Sequence, residues 1–227
     1  MVVKLDKVVP FGRSLEEYIR MFDLSSEDLQ KRILGAGDGP ASFNAEGTAK
    51  GYKITSIDPI YQFDGAEIKQ RFDAVVDNII GQVIATPNNW VWNYHKNPQD
   101  LKANRVKALE LFLKDYNRGQ QEGRYLAQEL PNLNFSDRSF DLALCSHFLF
   151  LYSEQLGRDF HIAAIEEMLR VSSEIRIFPL LTLMQETSPH LDSVIDRFNN
   201  SGYLVSTVKV PYELQPGANK TLVIKEK

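Results

Sequence analysis

The chain has 227 residues, 43% of them apolar and 25% charged, and a formal charge of −4. That is room for one large domain with a real core, and a slightly acidic chain without lysine- or arginine-rich runs gives no reason to expect a nucleic-acid partner. Cys145 is the sole cysteine, which excludes an internal disulfide and a multi-cysteine zinc site.

The opening MVVKLDKVVP is too charged for a secretory leader, and LALCSHFLFLY at 142–152 is far short of a membrane span. A cytoplasmic protein with no membrane contact is the expectation. Ser14 and Glu17 in SLEEYIRMF form a capping-box pattern, so a helix begins there, followed by a short one over 27–31. ILG at 33–35 reads as a buried strand, ASFNAEGTAK as a helix ending near Gly47 or Gly51, and YKITSID at 52–58 as a strand. Asp64 and Glu67 form a second capping box, and Ile68, Phe72, Val75, Val76, Ile79 and Val83 follow at helical spacing up to Pro87. NNWVWNYHKNP is an aromatic loop. The stretch 99–117 is helical again, with Val106, Leu109, Leu113 and Tyr116 on one face.

Beyond Gly119 and Gly123 the alternation of strand and helix resumes. RYLAQ (124–128), FDLALCS (140–146) and EIRIF (174–178) read as strands, and RDFHIAAIEEMLRV (158–171) as an amphipathic helix. Ser188 with Pro189 suggests an N-cap and first helical position, and Gly202 the end of that helix. YLVSTVKV and KTLVIK, joined through QPGAN, predict a closing hairpin. Repeated strand–helix–strand units imply a mainly parallel sheet covered on both faces.

In such sheets ligands bind outside the carboxyl ends of the strands, where strand order reverses. The stretch RILGAGDGPASF at 32–43 is the natural place. A dinucleotide fingerprint needs glycine at its first, third and sixth positions. Counting from Gly35 the sixth is Pro40, and from Gly37 it is Ser42. Neither register fits, and proline has no N–H to offer a pyrophosphate. A nucleotide-dependent oxidoreductase is disfavoured on this ground.

The same stretch resembles the first motif of class I S-adenosylmethionine-dependent methyltransferases, often written RILDLGCGPG. Arg32, Ile33, Leu34, Gly37, Gly39 and Pro40 match it, and Gly51 and Asp58 follow Gly37 by 14 and 21 residues, the family's usual separations. QELPNLNFSDRSFDLALCSH at 128–147 is similar to the run that follows the family's third strand. The resemblance implies a Rossmann-like, doubly wound α/β fold. Its seven-stranded sheet is mostly parallel with one antiparallel strand, and a helical insertion or lid over 64–122 follows the second strand of a single 1–227 domain. PFGRSLEEYIRMF and GPASFNAE look most like an uncharacterised bacterial branch of that family.

Site residues follow from the same resemblance. Gly37 and Gly39 would turn beneath the cofactor S-adenosyl-L-methionine, which carries no phosphate. Asp58 would accept from both ribose hydroxyls, with Pro59 and Ile60 flanking the adenine, Glu129 at its amino group and Leu130 against its ring. Cys145 is a cofactor-contact candidate, although a lone cysteine in an apolar strand is more often core filling. Arg13 and Tyr18 belong to the segment that folds over the cofactor in similar enzymes, and a guanidinium suits the methionine carboxylate. Gly35 departs from the pattern, standing where the family usually has an acid for the methionine ammonium, with Asp38 as the substitute. Ala41 replaces a third glycine.

Methyl transfer asks mainly for alignment, with a base for some acceptors. His147 and Tyr152, just after the fourth strand, are the catalytic candidates, and His147 the better base because histidine titrates near neutrality. His95 and His161 read as structural, and the four histidines show no metal-ligand spacing. Trp90, Trp92 and Tyr94 are candidates for lining a substrate pocket. The expected function is methyl transfer to a small molecule by an enzyme capable of homodimerising through its inserted helices. The alternative is a non-catalytic protein that binds S-adenosylmethionine or S-adenosylhomocysteine in a degenerate site.

Overall fold

The structure, a computed structural model, describes residues 8–227. Residues 1–7, part of the opening stretch read for leader character, lie outside that range. α1 (Leu15–Phe22) starts at the expected capping box: Ser14 accepts from the Glu17 N–H, and Glu17 reaches back to the Ser14 N–H at 3.0 Å. The short helix expected at 27–31 is a single 3₁₀ turn over Asp28–Gln30. β1 (Arg32–Ala36), α2 (Phe43–Ala49) and β2 (Lys53–Ile57) form the first crossover unit.

α3 (Gly65–Ala85) opens on the Asp64/Glu67 box, and α4 (Pro98–Gln121) on Asn97 with proline at its first position. The buried stripe of α4 is Leu101, Arg105, Leu109, Phe112 and Tyr116. Val106 and Leu113, expected on that face, are only half-buried, because the stripe is rotated toward the arginine. β3 (Tyr125–Leu126) has two of the five residues expected, because it is an edge strand whose chain then leaves for a bridge between Glu129 and Asn132.

β4 (Phe140–Ser146), α5 (Arg158–Val171) and β5 (Ser172–Phe178) follow as read. α6 (Leu191–Asn200) begins later than expected. Ser188 accepts from the His190 N–H and pairs with the Ser153 hydroxyl, so it shapes the preceding turn and caps nothing. β6 (Leu204–Lys209) and β7 (Lys220–Lys225) are the expected hairpin.

Among the described residues the sheet has seven strands in the order β3-β2-β1-β4-β5-β7-β6, with β7 alone running against the other six. This is the Rossmann-like, doubly wound fold that the strand pattern and the resemblance implied. One face is covered by α5 and α6 through Ile165, Met168, Val194 and Phe198. The other is covered by α1 and α2 through Tyr18, Phe22 and Phe43. α3 and α4 form a third apolar layer that continues onto Tyr61 and Tyr125. Strand order reverses between β1 and β4, so the ends of those two strands open the ligand crevice.

Candidate functional site

Asp38 occupies the space that a side chain at position 35 would take. A Cβ on Gly35 would lie 1.9 Å from Asp38 Oδ2, so a carboxylate from the turn fills the place that glycine leaves open on the strand. Tyr18 donates to Asp38 Oδ1 and Ser56 to Oδ2, each at 2.6 Å. Burial raises the Asp38 carboxyl, these two hydroxyls draw it back, and it rests at about 7. Gly37 and Gly39, at φ +69° and +54°, bend the turn through the left-handed region that side chains disfavour.

Asp58 ends β2. Its two carboxylate oxygens accept from the Gly39 and Ile60 N–H groups, each at 2.8 Å. Burial outweighs those bonds and lifts it to about 6. Each oxygen keeps a free lone pair for a further donor. Two clefts meet at this residue. One, of about 470 Å³, is lined by Asp58, Pro59, Glu129, Leu130 and Phe148. The other, of about 420 Å³, is lined by Arg13, Tyr18, Asp38, Asp58 and His147. Gly37 and Pro59 are common to both. Ile60, expected beside Glu129, lines the second cleft instead, because the 3₁₀ turn at Pro59–Gln62 carries it across.

The amino-terminal segment closes over the glycine turn. The Arg13 carbonyl accepts from the Ser42 N–H at 3.0 Å, and Gly12 lies so close to Pro40 that a Cβ would sit 2.2 Å from its carbonyl oxygen. The guanidinium donates to the Phe11 carbonyl at 2.7 Å, while Nε has no partner among the described residues. Burial and the nearby Arg105 lower it to about 10, so it stays charged.

Beside it lies a group the sequence reading missed. Arg105 of α4 makes two 2.7 Å bonds to Glu17 of α1, and both side chains are fully buried. Tyr212 donates to the same carboxylate at 3.0 Å, and His95 lies 3.2 Å from it. Burial alone would raise Glu17, but Arg105 and His95 outweigh it and hold the carboxyl well below its usual range. An arginine within the apolar stripe of an otherwise amphipathic helix was the available signal.

His147 stands at φ +53°, a backbone strain of the kind that gathers at functional sites. Its N–H donates to the Phe178 carbonyl at 2.6 Å. The Ser146 hydroxyl points to Met21 Sδ at 3.9 Å and lies 2.9 Å from Nδ1. Burial, then Arg13 and Arg105, push His147 far below the usual histidine value, so the ring is neutral.

His147 and Arg13 also line a third space, an apolar chamber of about 100 Å³ walled by Val83, Trp90, Leu183 and Leu214. Tyr152 lies in this chamber, its hydroxyl accepting from the Val9 N–H at 3.4 Å and its acidity weakened by burial. Trp90 lines the chamber, whereas Trp92 packs into the inserted helices and Tyr94 beneath Arg20.

Cys145 corrects the reading: it is wholly buried among β1, β4 and β5, lines none of these spaces, and burial lifts its thiol to about 12. Among the described residues no group of three His, Cys, Asp or Glu side chains is arranged to hold a metal ion, and no helix is long and apolar enough to cross a membrane.

No family model matches the chain. The uncharacterized protein MJ0045 of Methanocaldococcus jannaschii is 37% identical over 227 residues, spanning 98% of each chain. This relative is archaeal, so a bacterial placement rests on the sequence resemblance alone. Among solved structures, the magnesium protoporphyrin IX methyltransferase ChlM of Synechocystis PCC 6803, with bound S-adenosylhomocysteine, aligns at TM-score 0.49 and 11% identity over 93% of this chain and 81% of that one. A SAM-dependent methyltransferase from Aquifex aeolicus aligns at TM-score 0.43 and 12% identity, over 92% and 87%. Likeness at this level carries no argument about activity, and the fold rests on the strand order above.

Proposed function

This chain belongs to the family of the archaeal protein MJ0045, and from the geometry above we propose that it is an S-adenosylmethionine-dependent methyltransferase acting on a small organic acceptor. The observation that carries this reading is the Asp38 carboxylate set in the space over Gly35. A buried, partly ionised acid facing a cleft suits a ligand cation, here the methionine ammonium. Asp58, at the junction of the two clefts, suits the ribose hydroxyls, and Glu129 with Leu130 and Pro59 suits the adenine. The strained turn at Gly37 and Gly39 lets the backbone lie against the ligand.

When bound, the cofactor supplies an electrophilic methyl carbon: the acceptor's lone pair bonds to it, and the carbon–sulfur electrons stay with sulfur as S-adenosylhomocysteine leaves. The chain's own part is to align the acceptor and exclude water. His147 adjoins both the cleft and the chamber, and its neutral ring is placed to hydrogen-bond the acceptor and orient it. Tyr152, which keeps its own proton, orients the acceptor. α3, α4 and the Trp90 loop form the lid over that acceptor. The non-catalytic alternative rests on the missing acid at position 35 and on the absence of a strong catalytic motif; the seat of Asp38 answers the first ground, and turnover with an acceptor decides the second.

Calorimetric titration with S-adenosylmethionine and S-adenosylhomocysteine, with NAD as control, tests the reading. Saturable binding of the first two and loss of it in Asp58→Ala are expected, with circular dichroism confirming that the variant is folded. Undiminished affinity in a folded Asp58→Ala protein would overturn the site, and no binding at millimolar ligand would overturn the enzyme.

A further inference from the structure

The chamber beyond His147 has a charge character that its apolar walls conceal. No carboxylate among the described residues lines it. Of the buried acids around it, Glu17 has both oxygens engaged by Arg105, with Tyr212 and Ser14 adding further bonds, and Asp38 and Asp58 line the adjoining cleft, where the proposed cofactor takes them up. Arg13 does line the chamber, beside His147, and its Nε lacks any partner among the described residues. Two other polar tips are already used, the Tyr212 hydroxyl by Glu17 and Trp90 Nε1 by Thr86, while the Gln215 amide and the Tyr152 hydroxyl, both uncharged, also line the chamber. What the chamber offers an acceptor is therefore an apolar slot with one guanidinium as its only charge, a neutral imidazole, an amide and a hydroxyl.

We propose that the methyl acceptor is an oxygen acid: an apolar, ring-sized molecule whose carboxylate or phenolate oxygen is met by Arg13 while its apolar end fills the chamber. This deepens the methyltransferase reading and rests on it. An amine acceptor enters as an ammonium ion, and here it would have to approach a buried guanidinium with no carboxylate to offset the repulsion. An oxyanion reverses the sign of that interaction and supplies the charge-assisted bonds that the guanidinium lacks. The volume of about 100 Å³ is smaller than the ~150 Å³ apolar cavity that holds benzene, so the chamber takes the apolar end of a single small ring whose remainder lies toward the adjoining cleft.

Three matched probes test this on the full chain, with and without saturating S-adenosylhomocysteine: benzoate, 4-nitrophenol and benzylamine, followed by calorimetric titration. Benzoate and 4-nitrophenol are expected to bind at least ~10-fold more tightly than benzylamine, the nitrophenol as its coloured phenolate. Arg13→Gln is expected to erase that preference when it is measured without S-adenosylhomocysteine, and Arg13→Lys to retain it. Leu183→Trp, which fills the chamber without touching its charge, is expected to exclude all three.

Equal or tighter binding of benzylamine would overturn the proposal, as would failure of every probe to bind. Loss of S-adenosylhomocysteine affinity in Arg13→Gln, in step with benzoate, would overturn it too, by assigning the guanidinium to the cofactor's own carboxylate. If the wild-type chain binds no S-adenosylhomocysteine, the methyltransferase reading fails separately, and the probe preference measured without it still stands or falls alone.

Discussion

Consecutive residues of α1 face two buried carboxylates with opposite fates. Glu17 lies in a knot with Arg105, His95 and Tyr212 and is held ionised well below the usual range. Tyr18, one residue on, donates to Asp38, which rests at about 7 because only two neutral hydroxyls attend it. Burial is comparable, and the partner set decides the charge. The knot has spent its carboxylate on structure, binding the inserted helix α4 to α1. The cradle around Asp38 has kept its carboxylate uncompensated, which is what a site for a ligand cation requires.

Breaking the knot carries the largest expected effect. Arg105→Ala strands Glu17 without its countercharge, and denaturant unfolding should show a loss of about 3–5 kcal/mol. Replacing both partners with methionine should recover much of it, because the charge is then removed along with its partner.

The cradle should respond in affinity more than in stability. Asp38→Asn is expected to weaken S-adenosylmethionine binding by ~10–100-fold, and the exchange Gly35→Asp with Asp38→Gly to restore part of it by returning the acid to the strand. Gly35→Asp alone should fail, since its Cβ meets the Asp38 carboxylate.

Sign follows from the raised values of Asp38 and Asp58, about 7 and about 6. A ligand cation favours the ionised acid, so affinity should rise from pH 5.5 to 8, and binding near pH 6 should release protons, read as a buffer-dependent calorimetric heat. Stability of the free protein should run the other way. An acid raised on folding favours the folded chain fully below its unfolded value near ~4, and that contribution is lost as pH climbs through about 7. Unfolding midpoints of wild type and Asp38→Asn at pH 5.5 and 8 isolate it. The smallest effect belongs to the helix that joins the two regions: Ser14→Ala removes one half of the α1 capping box and should cost about 1 kcal/mol in the same unfolding measurement.

The two regions also differed in how far they were legible. The crossover units, the capping boxes and the turn after β1 are local patterns, and each appeared where the chain predicts it. So did the meeting of Gly37, Gly39 and Asp58, whose spacing is fixed by one strand–helix–strand unit. Asp38 was readable as a substitute acid, but its seat over Gly35 was not, because a side chain's direction out of a turn leaves no periodic trace. The knot was the least legible. Glu17 reads as a surface capping residue, Tyr212 lies in a loop of ten residues between β6 and β7, and only Arg105 within an apolar stripe departs from its surroundings. Cys145 misled for the reverse reason: adjacency in sequence to Ser146 and His147 says nothing of the opposite faces a strand presents.

The knot also bears on how the molecule comes together. Its partners to Glu17 are separated from it by 78, 88 and 195 residues. Closing such long loops is entropically slow, and a carboxylate stripped of water before its countercharge arrives is unfavourable. α1, the inserted pair and the final hairpin loop are therefore expected to converge together, and the roof of the apolar chamber to be complete only when nearly the whole chain has left the coil.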